Sequence, residues 1–214
     1  MKNIIIFSGG TIGREVIKLI HEINAVKKQW NIIGVVDDRL LKKRKKIDGI
    51  KIISSKKISK HEKFYAICAA GDPKVKKNIV KEISNLNLKL TSLLHPSLHI
   101  YDDTKILEGS IVFANSQIGH TTKLGKNVLI SFATDVGHNV NIGNYTSLMP
   151  SSTIGGYCKI GDDCVIGAGV NIRPKITVGK NCILGIGTTI MQNVKKNFSV
   201  INGTRNLILK RKII

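Results

Sequence analysis

The sequence predicts two unlike domains: a small Rossmann-like α/β unit over residues 1–94, then a parallel β-helix over residues 95–214. Two observations carry this reading. Residues 1–90 alternate short apolar runs with helical periods, the pattern of a doubly wound parallel sheet. From residue 100 the period becomes six, and aliphatic residues recur sixteen times from Ile100 to Ile190 without an insertion.

In the first domain Ile4-Ile5-Ile6-Phe7 reads as a buried strand, and Gly9 to Gly13 as a turn. Arg14 to Ile23 follows as a helix with Val16, Ile17, Leu19, Ile20 and Ile23 on or near one face. Asn31 to Val36 is a second strand that ends in Asp37-Asp38. Ile50 to Ile53 and Phe64 to Ala69 are further strands. Asp72-Pro73 caps a helix running to about Leu86, with proline suited to the first helical position.

In the second domain each hexad offers one aliphatic to the interior, with a small or β-branched residue two positions earlier, such as Ser116, Thr122, Thr134 or Cys158. Glycine follows nine of the aliphatics, where it is expected to tolerate a positive φ at the turn. This is the hexapeptide repeat of a parallel β-helix. Three hexads make one triangular coil, so residues 18 apart stack at about 4.8 Å. The register is expected to stop at Lys195-Lys196, which leaves Asn197 to Ile214 as an irregular tail. Cys158, Cys164 and Cys182 occupy small interior positions and Cys68 an apolar strand, so all four read as buried small hydrophobes. The coils offer only His120 and His138, too few for a three-histidine metal site, and no metal is expected.

The chain of 214 residues carries a net charge of +20, from 34 basic and 14 acidic residues. Only Lys42-Lys43-Arg44-Lys45-Lys46 is a dense block, and no aromatics are interleaved with it for base stacking. The expectation is therefore no nucleic-acid partner, although the charge favours small phosphorylated ligands. No apolar run approaches 18 residues, which excludes a membrane-spanning helix. The apolar N-terminus lacks a small-residue cleavage site and runs straight into Ser8-Gly9-Gly10, so it reads as a strand of a cytoplasmic protein.

Four features together resemble the bacterial sugar O-acyltransferase family: the Gly-rich strand–turn–helix opening with Val35-Val36-Asp37-Asp38, Ala69-Ala70-Gly71-Asp72, His95-Pro96-Ser97, and the hexads. Its members include the N-acetyltransferases of UDP- and GDP-linked 4-amino sugars and the sialic acid O-acetyltransferases. The resemblance implies a left-handed β-helix, a homotrimer, a nucleotide-linked amino sugar on the N-terminal domain, and acetyl-CoA in a groove between neighbouring β-helices. It makes His138 the general base for direct attack on the thioester, without an acyl-enzyme. Asn139 stands where many relatives carry an acid. The acetyl-CoA path passes Ser147, Gly156, Ala168 and Ile186, with Gly185 and Gly187 permitting close approach. Gly10, Thr11 and Ile12 of the Gly-rich loop, with Asp37 and Asp38, meet the nucleotide sugar; tight strand–helix packing is the other reading of that loop. Gly156 is expected to leave open space over His138, and His120, one coil below, to be structural. Gly203-Thr204-Arg205-Asn206 replaces the family's closing Gly-x-Pro-Ala, and Arg205 or Lys210 to Lys212 is placed to meet a CoA phosphate.

The expected function is N-acetylation of a UDP- or GDP-linked 4-amino-4,6-dideoxy sugar for surface glycan biosynthesis. O-acetylation of sialic acid or a related sugar, or a noncatalytic scaffold, are the alternatives. No residue distinguishes an amine acceptor from a hydroxyl.

Overall fold

Ile4, Ile5, Ile6 and Phe7 are all buried, and they place strand β1 (Lys2–Phe7) at the middle of the first sheet. The computed structural model describes residues 1–58, 63–202 and 207–210, with side chains up to Asn202. It divides into two units, Met1–Pro96 and Ser97–Ile214.

In the first unit β1 is followed by α1 (Thr11–Val26), β2 (Trp30–Val36), α2 (Asp38–Leu41), β3 (Lys46–Ile47), β4 (Ile50–Ile53), β5 (Tyr65–Cys68), α3 (Pro73–Asn85) and β6 (Lys89–Leu90). The sheet order is β3-β4-β2-β1-β5-β6, and every pairing is parallel except the β3–β4 hairpin. The predicted apolar face of α1 is the buried one: Val16, Ile17, Leu19, Ile20 and Ile23. Each such side chain contributes on the order of 1.5–3 kcal/mol when fully buried. The Asp72 carboxylate accepts from the N–H groups of Lys74 and Val75 at 2.8 and 3.1 Å, so Asp72-Pro73 opens α3 as the sequence predicts. The short α2 and the strand β3, which turns back onto the predicted β4, are additions that the apolar pattern does not announce. No helix among the described residues is long and apolar enough to cross a membrane.

The second unit winds three hexads per coil. Gln117, Asp135, Thr153, Asn171 and Thr189 pair in succession on one sheet. Lys105, Lys123, Asn141, Lys159 and Thr177 pair on a second, and Ile111, Leu129, Ser147, Val165 and Ile183 on a third. Inward aliphatics from Val112 to Ile190 are buried. Ile100 is half-buried and lies in no strand, and the first regular strand of the coils is Lys105–Ile106.

Two expectations about the repeat are corrected. Positive φ falls not on the glycine after each aliphatic but two residues later, at Thr121, Asn127, Ala133, Asn139, Tyr145, Ser151 and Tyr157 among others. The repeat glycines answer a different need. A Cβ on Gly119 would lie 2.5 Å from the backbone nitrogen of His138, and one on Gly155 would lie 2.5 Å from that of Pro174. The next coil passes too close for any side chain. The C-terminal segment, in turn, carries regular strands among its described residues rather than only an irregular tail. Val194 bridges Val178, and the strand Phe198–Ile201 pairs in parallel with Ile183 and Leu184. These partners are 16 residues apart rather than 18. The spacing slips by two after Ile190, yet Val194 and Val200 still reach the interior, at 5% and 3% exposure. The strand Leu207–Lys210 then returns antiparallel.

The small interior positions do more than fit. Thr122 Oγ1 donates to the Gly137 carbonyl at 2.9 Å and accepts from the Val140 N–H at 3.2 Å. The thiols of Cys158, Cys164 and Cys182 take the donor's place, 3.2, 3.2 and 3.1 Å from the carbonyls of Arg173, Gly179 and Lys195. All four cysteines are buried, as predicted. Burial pushes the Cys68 thiol up to about 12 and raises that of Cys158.

Candidate active site

His138 sits at the corner that follows the strand Asp135–Val136. The Asn139 N–H donates to the His120 carbonyl at 3.0 Å, and the Tyr157 N–H donates to the His138 carbonyl at 3.0 Å. The corner is thus tied to the coil below and to the coil above. Asn139 adopts φ 57°, a left-handed conformation that asparagine tolerates better than most residues. Its side-chain oxygen lies 3.0 Å from His138 Nδ1. An amide oxygen only accepts, so the proton belongs on Nδ1 and the lone pair on Nε2.

Three neighbours define the rest of the ring's surroundings. The His120 ring stacks on it, with centroids 5.3 Å apart and planes 6° from parallel. The Tyr157 ring meets it edge-on at 4.9 Å and 86°. A Cβ on Gly156 would come within 2.9 Å of Nε2 and 3.1 Å of Cε1. The space over His138 is therefore not simply open, because the imidazole leans into it. What glycine provides is clearance for Nε2, the atom that carries the lone pair.

The residues predicted to line the acetyl-CoA path do not gather on one face of a single chain. Gly156 shares the corner of His138. Ala168 and Ile186 stack at the corner on the other side of the intervening sheet, where the Gly187 N–H donates to the Ala168 carbonyl at 2.8 Å. Ile186 is 76% exposed, the most open of the large apolar side chains described in this unit. Ser147 is fully buried on the third sheet, whose strands run into the corner of Ala168 and Ile186. Gly203-Thr204-Arg205-Asn206 lies outside the described residues, and no side chain of Lys210 to Lys212 is described.

In the first unit the Gly-rich loop borders two adjoining cavities at the carboxyl ends of β1, β2 and β5, where β2 and β5 flank β1 on opposite sides. Open α/β sheets bind ligands at such a switch point. One cavity, of about 310 Å³, is lined by Ser8, Gly9, Gly10, Asp37, Arg39, Leu40 and Lys43. The other, of about 250 Å³, includes Gly10, Thr11, Ile12, Ala70 and Asp72. α1 starts at Thr11 with no side-chain cap, and Gly10, Thr11 and Ile12 at its start line the second cavity. Ser8, at φ 83°, borders both cavities in a conformation that costs a non-glycine residue strain.

Within the loop, Gly13 and Gly9 serve packing. A Cβ on Gly13 would collide with the Ser8 carbonyl, and one on Gly9 would stand 2.8 Å from Leu40 Cδ1. Asp37 is already engaged as a brace: its carboxylate accepts from the N–H groups of Gly9 and Leu40, each at 3.0 Å. Asp38 is exposed on α2 and lines neither cavity.

Residues 3–83 match the PglD N-terminal domain, and residues 139–174 match the bacterial transferase hexapeptide (six repeats). The chain is thus similar to a PglD N-terminal domain in its first part and to the hexapeptide repeats of bacterial transferases in its second. Solved structures with the same fold include the acetyltransferase domain of PglB from Neisseria gonorrhoeae FA1090 in complex with acetyl coenzyme A. It is 22% identical over 97% of this chain and 99% of its own, with a TM-score of 0.84. WeeI from Acinetobacter baumannii AYE is 21% identical over 98% and 100%, with a TM-score of 0.86. PerB from Caulobacter crescentus, in complex with CoA and GDP-perosamine, is 17% identical over 98% of each chain, with a TM-score of 0.73. No curated protein is significantly similar to the chain in sequence. The expected fold class holds: a Rossmann-like domain and a left-handed parallel β-helix.

In the first unit, Arg39 and Lys43 are the cavity residues that the sequence pattern did not single out. Lys43 was legible only as part of a charge run. It lies four positions after Arg39, and α2 with the turn that follows it brings both residues to one cavity.

Proposed function

We propose that this protein is an acetyl-CoA-dependent N-acetyltransferase acting on a nucleotide-linked 4-amino sugar, a UDP- or GDP-4-amino-4,6-dideoxy sugar, in surface glycan biosynthesis. The observation that carries the reading is His138, with Nδ1 held by Asn139 and Nε2 cleared by Gly156. In this reading Nε2 takes a proton as the sugar amine attacks the thioester carbonyl. A new C–N bond forms, the C–S bond breaks, and the imidazolium returns the proton to the departing thiolate. The fold of PerB, which holds CoA and GDP-perosamine, supports this choice of substrates.

The cavities beside Gly10, Thr11 and Ile12 suit the nucleotide, with α1 amides, Arg39 and Lys43 to meet its phosphates. The separation of Gly156 from Ala168 and the exposed Ile186, at two different corners, supports a groove completed by a second copy, hence a homotrimer.

The test is CoA release from acetyl-CoA against a panel of UDP-, GDP- and dTDP-linked amino sugars. His138→Ala is expected to lower kcat by about 10²–10⁴ with little change in Tm, since a corner truncation opens no core cavity. Near-normal turnover by that variant would remove His138 as the base. Light scattering at micromolar concentration should give a trimer mass; a monomer there rejects the shared groove.

A further inference from the structure

We infer that His120, held in place by Thr121 and Asp103, is a positioning residue for His138. The inference rests on His138 as the base of the proposed reaction. An imidazole turns about a broad, nearly two-fold torsion, and Asn139 gives it one neutral hydrogen bond where a carboxylate would give one roughly twice as strong. A single neutral bond leaves the plane of the ring weakly specified. His120 supplies that plane: its ring lies 6° from parallel with His138 at a centroid separation of 5.3 Å, within the range of favourable offset stacking. Tyr157 closes the far edge at 86°. A face contact below and an edge contact beside it leave Nε2 directed at Gly156.

His120 is itself anchored. Its Nδ1 lies 3.0 Å from Thr121 Oγ1, and the Thr121 hydroxyl donates to Asp103 Oδ2 at 2.8 Å. The Thr121 N–H donates to Asp103 Oδ1 at 3.0 Å. With its one proton given to Asp103, the Thr121 oxygen accepts from His120 Nδ1–H, which fixes both the tautomer and the tilt of that ring. The carboxylate that Asn139 lacks is thus present one coil lower, and it acts through Thr121 and His120 on the plane of the base. The anchors come from the period itself: Asp103, Thr121 and Asn139 are 18 residues apart, as are His120 and His138.

The experiment compares His120→Ala, His120→Phe and His138→Ala in the full-length chain, with kcat and both KM values measured separately. Ring tautomers are followed by long-range ¹H–¹⁵N correlation of the histidine side chains. His120→Ala is expected to lower kcat about tenfold, as displacement of a catalytic group by a fraction of an ångström does. Both KM values should stay within about twofold. His120→Phe, which keeps a ring plane but no nitrogen, should recover most of the loss. The His138 ring should pass from one tautomer to a mixture in the alanine variant and return to one in the phenylalanine variant. An alanine variant with unaltered kcat and a single His138 tautomer overturns the inference, and so does a phenylalanine variant as impaired as the alanine one. If His138→Ala keeps full turnover, the base assignment fails instead. The tautomer measurement, which needs no turnover, then still decides whether His120 orders the ring.

Discussion

Gly156→Ala offers a test of the site that separates catalysis from folding. The new methyl would stand 2.9 Å from His138 Nε2, 3.1 Å from Cε1 and 3.3 Å from Cδ2. Ordinary carbon contacts begin near 3.5 Å, so the ring must withdraw by about half an ångström. Gly156 has no positive φ, so alanine meets no backbone strain there. The atoms it crowds belong to an exposed, movable side chain. Loss of unfolded-state freedom favours the alanine by about 0.4–1 kcal/mol, so net stability should stay within about 1 kcal/mol of the parent.

Catalysis has no such latitude, because a displacement of about 1 Å can cost about 10²-fold in rate. A fall in kcat of between about tenfold and 10²-fold is therefore expected, read from CoA release under saturating substrates. Gly155→Ala is the contrast. There the Cβ meets the Pro174 backbone at 2.5 Å and the Ile172 carbonyl at 2.8 Å, atoms that move only if the coils separate. That variant should lose Tm. A Gly156→Ala enzyme with normal kcat would refute the reasoning. So would one whose only change is a raised KM for acetyl-CoA, since glycine would then serve the pantetheine path rather than the imidazole.

Asp37→Ala should do two things: weaken nucleotide-sugar binding with little effect on acetyl-CoA, and lower Tm, because the Leu40 cap is typically worth about 1 kcal/mol. Titrations in which both ligands weaken equally would argue against separate sites. The Asp103 carboxyl is held below the usual carboxylate range, chiefly by the Thr121 N–H and then by its hydroxyl. A depressed carboxyl stabilises the fold fully above its unfolded value of about 3.9 and loses that contribution as pH falls through the folded value. Carbon-13 titration should place the Asp103 midpoint below that of the exposed carboxyls; an ordinary midpoint would dissolve the anchor proposed for His120.

How much of this was legible beforehand differs between the two units. In the first, Asp72-Pro73 and the stripe from Val16 to Ile23 announce their helices because caps and amphipathic faces are local. α2 is four residues long and exists because Asp37 caps it from the end of β2 while also holding Gly9. No periodicity records such a bond across 28 residues, and the cavity with Arg39 and Lys43 depends on it.

The hexads are a different case, since a strict period states which residues stack. From it alone follow the inward aliphatics, the buried cysteines and the superposition of His120 and His138. A period counts residues but does not count atoms between coils. That is why the glycines serve close approach rather than positive φ, and why a slip of two residues after Ile190 leaves the aliphatic column intact. It also says nothing of side-chain torsions. Whether two stacked histidines share a plane, and which nitrogen faces the missing side chain of Gly156, is decided by the hydrogen bonds of Asn139, Thr121 and Asp103. The sequence by itself determined the coil; the packing of one coil against the next determined the site.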